Sequence, residues 1–338
     1  MMGFWVLTGC SSPVDETPVE DGTAIAFSAD MSEREVTRSS TPLEETGITS
    51  FKVWAYKNMS YDEGTQTYGD LQTVMNGFYV RWETNTAATS TTNTHDWEYI
   101  LTAYPSQTIK YWDFGAKAYR FVAVAPATAN VSFPEDGSGN NLLVRFTADA
   151  SGETVTPYYS RLWFSDNSTK PFGKPVTMEF IQPFAKVRFV FKYANPNADP
   201  LPLLENPDFR PTNPAHAIAQ SGTITLTFPI AGTEKEESWA TSGIGKTLSS
   251  FTNVWEDAED WYTVLPAVSQ GTFTLTVRVD GEERTAVVPE QYMDWQPGYQ
   301  YTYIFKVNEE GGVELQSVSL GYTDWQGNEE KEYPVYNW

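Results

Sequence analysis

Phe273-Thr274-Leu275-Thr276-Val277-Arg278-Val279 alternates apolar and polar residues without a break. Successive side chains of a β-strand point to opposite faces, so this run sends four apolar side chains one way and three polar ones the other. Residues 223–228 do the same, with Ile224, Leu226 and Phe228 set between threonines. Val187, Phe189, Phe191 and Tyr193 share one face of another run, and Tyr299, Tyr301, Tyr303, Phe305 and Val307 share one face of a fourth. Such alternation suits antiparallel sheets with one face on a core and the other towards water or a neighbour. Gly, Pro, Asn and Asp gather between the runs, at 62–69, 134–141, 195–207 and 308–312, as turns require. No helical pattern reaches 12 residues, and residues 215–220 are the best short helix candidate. The expected fold class is all-β, with two antiparallel β-sandwich domains.

The chain has 338 residues, enough for two domains of ordinary size. Residues 165–175 are polar and carry Pro171, Gly173 and Pro175, and residues 176–193 beyond them read as one long strand. A boundary near 174 follows, with an N-terminal sandwich over 23–174 and a C-terminal one over 175–338. The 44 acidic and 22 basic residues give a formal net charge of −22. That surface repels phosphate backbones, which argues against a nucleic-acid partner.

One Cys and two His leave no disulfide framework and no Cys/His metal cluster. His95 and His216 sit in polar or Pro-flanked segments and read as loop residues, not general bases. Acidic pairs such as Asp257/Glu259 and Glu282/Glu283 are expected in a chain this acidic, and no cleft is predicted to oppose two carboxyls as glycoside hydrolysis needs. Residues 62–64 and 136–141 lack the spacing of an EF-hand loop. The expectation is a protein with no catalytic residues, no metal and no cofactor.

Residues 1–9 are apolar and end at Cys10, and the stretch 11–22 is polar and acidic with Pro13 and Pro18. Leu7-Thr8-Gly9-Cys10 resembles the lipobox of bacterial lipoproteins. That resemblance implies a signal over 1–9, cleavage before Cys10, acylation of Cys10 and a tether over 10–22. Two acyl chains would anchor the product stably in the outer membrane. The signal is short and no Lys or Arg precedes it, as a start assigned too far downstream would give. The alternative is an amino-terminal tail with a chance Cys.

Several segments together are similar to the fimbrillin family, the pilus subunits of the Bacteroidales. These are the short strand Ala24-Ile25-Ala26-Phe27-Ser28, the Arg-bearing linker over 33–39 and the strand over 47–56. Trp112 with Tyr119-Arg120-Phe121-Val122-Ala123-Val124-Ala125-Pro126, the run 178–187 and Trp295-Gln296-Pro297-Gly298-Tyr299-Gln300-Tyr301 follow in the family's order. Gln182 stands where many relatives have His.

The resemblance implies transthyretin-like sandwiches and a cell-surface role in building fimbriae for adhesion. It also implies cleavage after an Arg that follows the first strand, Arg38 first and Arg34 second. Both arginines lie in a polar linker that a protease can reach, or are plain solvated residues. Release of the first strand, with Ile25 and Phe27, would open a groove for a strand from another fimbrillin subunit. The donor candidate is the tail bearing Val335, Tyr336 and Trp338. Pro334 weakens it, and the alternative, an edge strand of the second domain, would make the chain a tip or accessory subunit instead of a repeating shaft subunit. The competing function is a carbohydrate-binding surface lipoprotein outside a pilus, with Trp239, Trp255 and Trp261 as sugar platforms for host or bacterial glycans. Protein receptors are the other class of surface partner.

Overall fold

The computed structural model describes residues 23–31, 48–83, 97–129, 131, 139–149, 157–248, 250–251, 255, 261–322 and 331–334. Its first strands are β1 (Phe27–Met31), β2 (Ser50–Asp62), β3 (Thr67–Trp82), β4 (Trp97–Glu98), β5 (Ala118–Ala125), β6 (Asn141–Asp149) and β7 (Tyr158–Ser160). There follow β8 (Trp163–Ser165), β9 (Val176–Ile181), β10 (Ala185–Tyr193), β11 (Leu204–Pro211), β12 (Ile218–Ala219), β13 (Ser221–Pro229) and β14 (Ser238–Ser242). The last are β15 (Thr247–Leu248), β16 (Tyr262–Val264), β17 (Phe273–Val279), β18 (Glu282–Val288), β19 (Tyr299–Val307), β20 (Val313–Tyr322) and β21 (Lys331–Pro334). A 3-10 turn at Glu290–Tyr292 is the one helical element among the described residues, so the chain is all-β.

The largest sheet runs β1-β9-β7-β5-β2-β3-β4, with β8 also on β5. Phe51, Val53 and Ala55 of β2 and Tyr119, Phe121 and Ala123 of β5 face one core, together with Ile25 and Phe27. Trp54, Tyr56, Val122 and Val124 face a second core on the opposite side, completed by β6 and β13. This explains why β5 is buried along its whole length and shows no polar alternation. The third core lies between the sheet β16-β10-β19-β20-β21 and the sheet β11-β17-β18. There Trp295 is fully buried, and the turn after it needs Gly298 at φ +81°, where its amide bonds the Phe184 carbonyl at 2.9 Å.

Two expectations are corrected by the ladders. The single long strand expected over 176–193 is two strands, because Pro183 has no amide to donate to a ladder. β9 serves the large sheet, while β10 opens the other. The helix candidate at 215–220 is a turn leading into β12, which pairs with β15. Pairing is mostly antiparallel, but β1 runs parallel to β9 and β10 parallel to β19. Parallel neighbours need long crossovers, and here most of a domain intervenes between the paired strands.

The sheets also cross the expected boundary near 174. β9 lies beyond it yet pairs with β7 and β1, and β6 pairs with β13 over nine residues. Arg120 pins this shared layer. It is fully buried, donates to the Asn58 side chain and to the Glu234 carbonyl, and stacks against Tyr68 and Phe164. Burial lowers its pKa to about 10.

Candidate strand-exchange site

The segment Thr23 to Met31 occupies the outer edge of the large sheet, and its two halves hold different neighbours. The Ile25 amide donates to the Lys110 carbonyl at 2.8 Å, and the Trp112 amide donates to the Thr23 carbonyl at 3.0 Å. The Val176 amide then donates to the Ala26 carbonyl at 2.8 Å, and β1 continues in parallel register from Phe27 opposite Val176 to Met31 opposite Phe180. Ser28 Oγ donates to Thr177 Oγ1 at 3.0 Å across that pair. β1 therefore has one strand neighbour, as an edge strand does.

The inward side chains are deep in the core. Ile25 and Phe27 are 0% exposed and Ala29 is 4% exposed. The Phe27 ring packs edge-on against Phe51, Tyr99 and Phe121, with centroids 5.9, 5.9 and 6.0 Å away. The Tyr99 hydroxyl donates to the Ile25 carbonyl at 2.9 Å and accepts from the Lys110 amide at 3.2 Å. Burial raises its pKa to about 12, so it stays a donor above the usual tyrosine range. The loop that receives residues 23–25 is braced in turn. Lys57 Nζ bonds Asp113 at 2.5 Å and lowers that carboxyl's pKa, and the Asp113 amide donates to Tyr119 at 2.7 Å.

Of the residues expected to matter, Ile25 and Phe27 thus sit together at one buried edge. Cys10, Arg34, Arg38, Val335, Tyr336, Trp338, His95, Asp257 and Glu259 lie outside the described residues. The tail's first part, β21, pairs with β20 as the edge of the second sheet. His216 belongs to a turn, its amide bonded to the Asn213 carbonyl at 3.1 Å. Trp239, Trp255 and Trp261 are all half-buried, and the Arg188 guanidinium covers the Trp261 ring at 4.5 Å. Among the described residues no cluster of three or more His, Cys, Asp or Glu could hold a metal, and no helix is long and apolar enough to cross a membrane. Tyr99, the 110–112 loop and β9 were not singled out from sequence as parts of this site. Trp112 and the run 178–187 carry only the family resemblance, and nothing local in Tyr99 or Lys110 marks them.

The fold defines a layered β-sandwich protein whose first core is completed by its own amino-terminal edge strand. The model of the fimbrillin-like family matches residues 37–325, and the chain belongs to that family. It is a structural, non-enzymatic protein of the fimbrial, cell-surface kind. Among solved structures it is similar to a fimbrial protein from Bacteroides vulgatus, at 12% identity over 90% of this chain and 99% of that one, TM-score 0.44. A fimbrial assembly protein from Parabacteroides distasonis matches at 10% identity over 92% of this chain and 100% of that one, TM-score 0.37. No curated protein matches the chain.

Proposed function

We propose that this chain is a fimbrial subunit precursor, held in the outer membrane by acylated Cys10 and activated by cleavage after Arg38 or Arg34. Cleavage separates the strand bearing Ile25 and Phe27 from the body of the domain. The strand then leaves, and one from another subunit takes its place, joining the two into a surface fimbria for adhesion. Two sandwich domains remain part of this reading, with β9 lining the vacated groove of the first.

The observation that carries the reading is the position of residues 23–31. An edge strand can depart without breaking a sheet in two, yet this one buries Ile25 and Phe27 completely. Its loss leaves an apolar slot beside the unpaired edge of β9, which only another strand covers well. The test is the amino terminus of the protein recovered from the cell surface. A terminus just after Arg38 or Arg34 supports the proposal, and a terminus at Cys10 alone removes the processing step.

A further inference from the structure

The vacated slot, on the strand-exchange reading above, would also select its occupant. From the side chains it now holds, we infer that it takes a strand of the pattern aliphatic-x-aromatic-x-small from a different chain, and rejects the 331–338 segment of a second copy. The pattern is read from Ile25, Phe27 and Ala29. Position 27 is an aromatic pocket walled by Phe51, Tyr99 and Phe121. Position 29 holds only a methyl group, 4% exposed within a close-packed core, so a larger side chain there must displace its neighbours. Position 25 buries an aliphatic chain and also needs an amide, because Ile25 donates to the Lys110 carbonyl. Tyr99 contributes affinity without selectivity, since it bonds a backbone carbonyl that every strand carries.

Residues 331–338, Lys-Glu-Tyr-Pro-Val-Tyr-Asn-Trp, fail in each register that runs as β1 does. Lys331 or Glu332 at position 25 buries a charge. Tyr333 there overfills the site and sends Asn337 into the place of Ala29. Pro334 there has no amide for Lys110 and sends Trp338 into the same small site. Reversing the strand puts Lys331, Glu332 or Tyr333 in the place of Ala29, or Trp338 in the place of Ile25. The first four of these residues are moreover already paired with β20.

The test uses the full chain with a specific protease site set into residues 32–47, cleaved and then mixed with fluorescent peptides. Peptide 23–31 should bind, Phe27→Ala in that peptide should weaken binding roughly a hundredfold, and Ala29→Trp roughly tenfold. Peptide 331–338 should bind at least about tenfold more weakly than 23–31, given the same overpacking. If 331–338 binds as tightly as 23–31, the selectivity is refuted while strand exchange stands. If no peptide binds, 23–31 included, strand exchange itself fails and the selectivity goes with it.

Discussion

Replacing Phe27 by Ala separates local from global stability. The ring is fully buried and meets three aromatic neighbours, so its loss should cost about 3–5 kcal/mol, as other buried Phe→Ala changes do. Phe27 lies on an edge strand with one ladder partner, so the cost should fall on undocking of residues 23–31. Undocking would then become more favourable by roughly a hundredfold or more. Native-state hydrogen exchange reads this directly at the amides of Ile25, Trp112 and Val176, each bonded across the segment's boundary. Those amides should lose protection together, while amides in the β19–β20 ladder keep theirs. Ser28→Ala, which removes one half-exposed hydroxyl bond, should move the same amides by no more than about 1 kcal/mol. Equal loss of protection in both sheets would refute the idea that this strand undocks as a unit, and so would no loss in either.

Tyr99→Phe leaves the Ile25 carbonyl without its hydroxyl donor and should weaken docking by about 1 kcal/mol, measured by protease cutting within 23–31. Because burial raises the Tyr99 pKa to about 12 in the folded chain, its contribution is complete below the unfolded value of 10.0 and declines as pH rises towards 12. Undocking should therefore increase over that alkaline window in the parent protein, and less so in Tyr99→Phe. Arg120→Ala should destabilise the shared layer by about 3–5 kcal/mol in chemical denaturation, since it empties a packed site. Arg120→Met should cost clearly less, because it fills the volume and removes a desolvated cation whose Nε has no partner. In the other core, Trp295 donates to Tyr303 at 2.8 Å and Tyr303 to the Tyr292 carbonyl at 2.5 Å. Tyr303→Phe strands the buried indole N–H and should lower stability by about 1–3 kcal/mol, again read by denaturation.

The elements most legible in the sequence are those with one wet face. β13 and β17 alternate because every second residue is less buried and nearer water, and period two follows from that. β5 is a different case, since cores on both faces erase the alternation that would mark it. Strand pairing was beyond reach wherever partners lie far apart in the chain. Ser28 and Thr177 are 149 residues apart, and nothing local in either names the other. The same limit divides the site. Ile25 and Phe27 were visible as a short apolar alternation, but the Tyr99 hydroxyl that bonds Ile25 belongs to a residue 74 positions away. Pro183 marks the break within the run over 176–193. A proline within a run of alternating residues ends a ladder, and here it also divides two sheets.

The central claim is that the first strand must leave before subunits join. Ser28 and Thr177 face each other across β1 and β9, with their hydroxyls 3.0 Å apart, a placement suited to a disulfide once both are Cys. Fimbria formation by Ser28→Cys/Thr177→Cys, measured with and without reductant, tests the claim most directly. The account predicts exported but unpolymerised subunits while the cross-link holds, and polymer once it is reduced. Full-length fimbriae built from subunits whose cross-link is intact would contradict it.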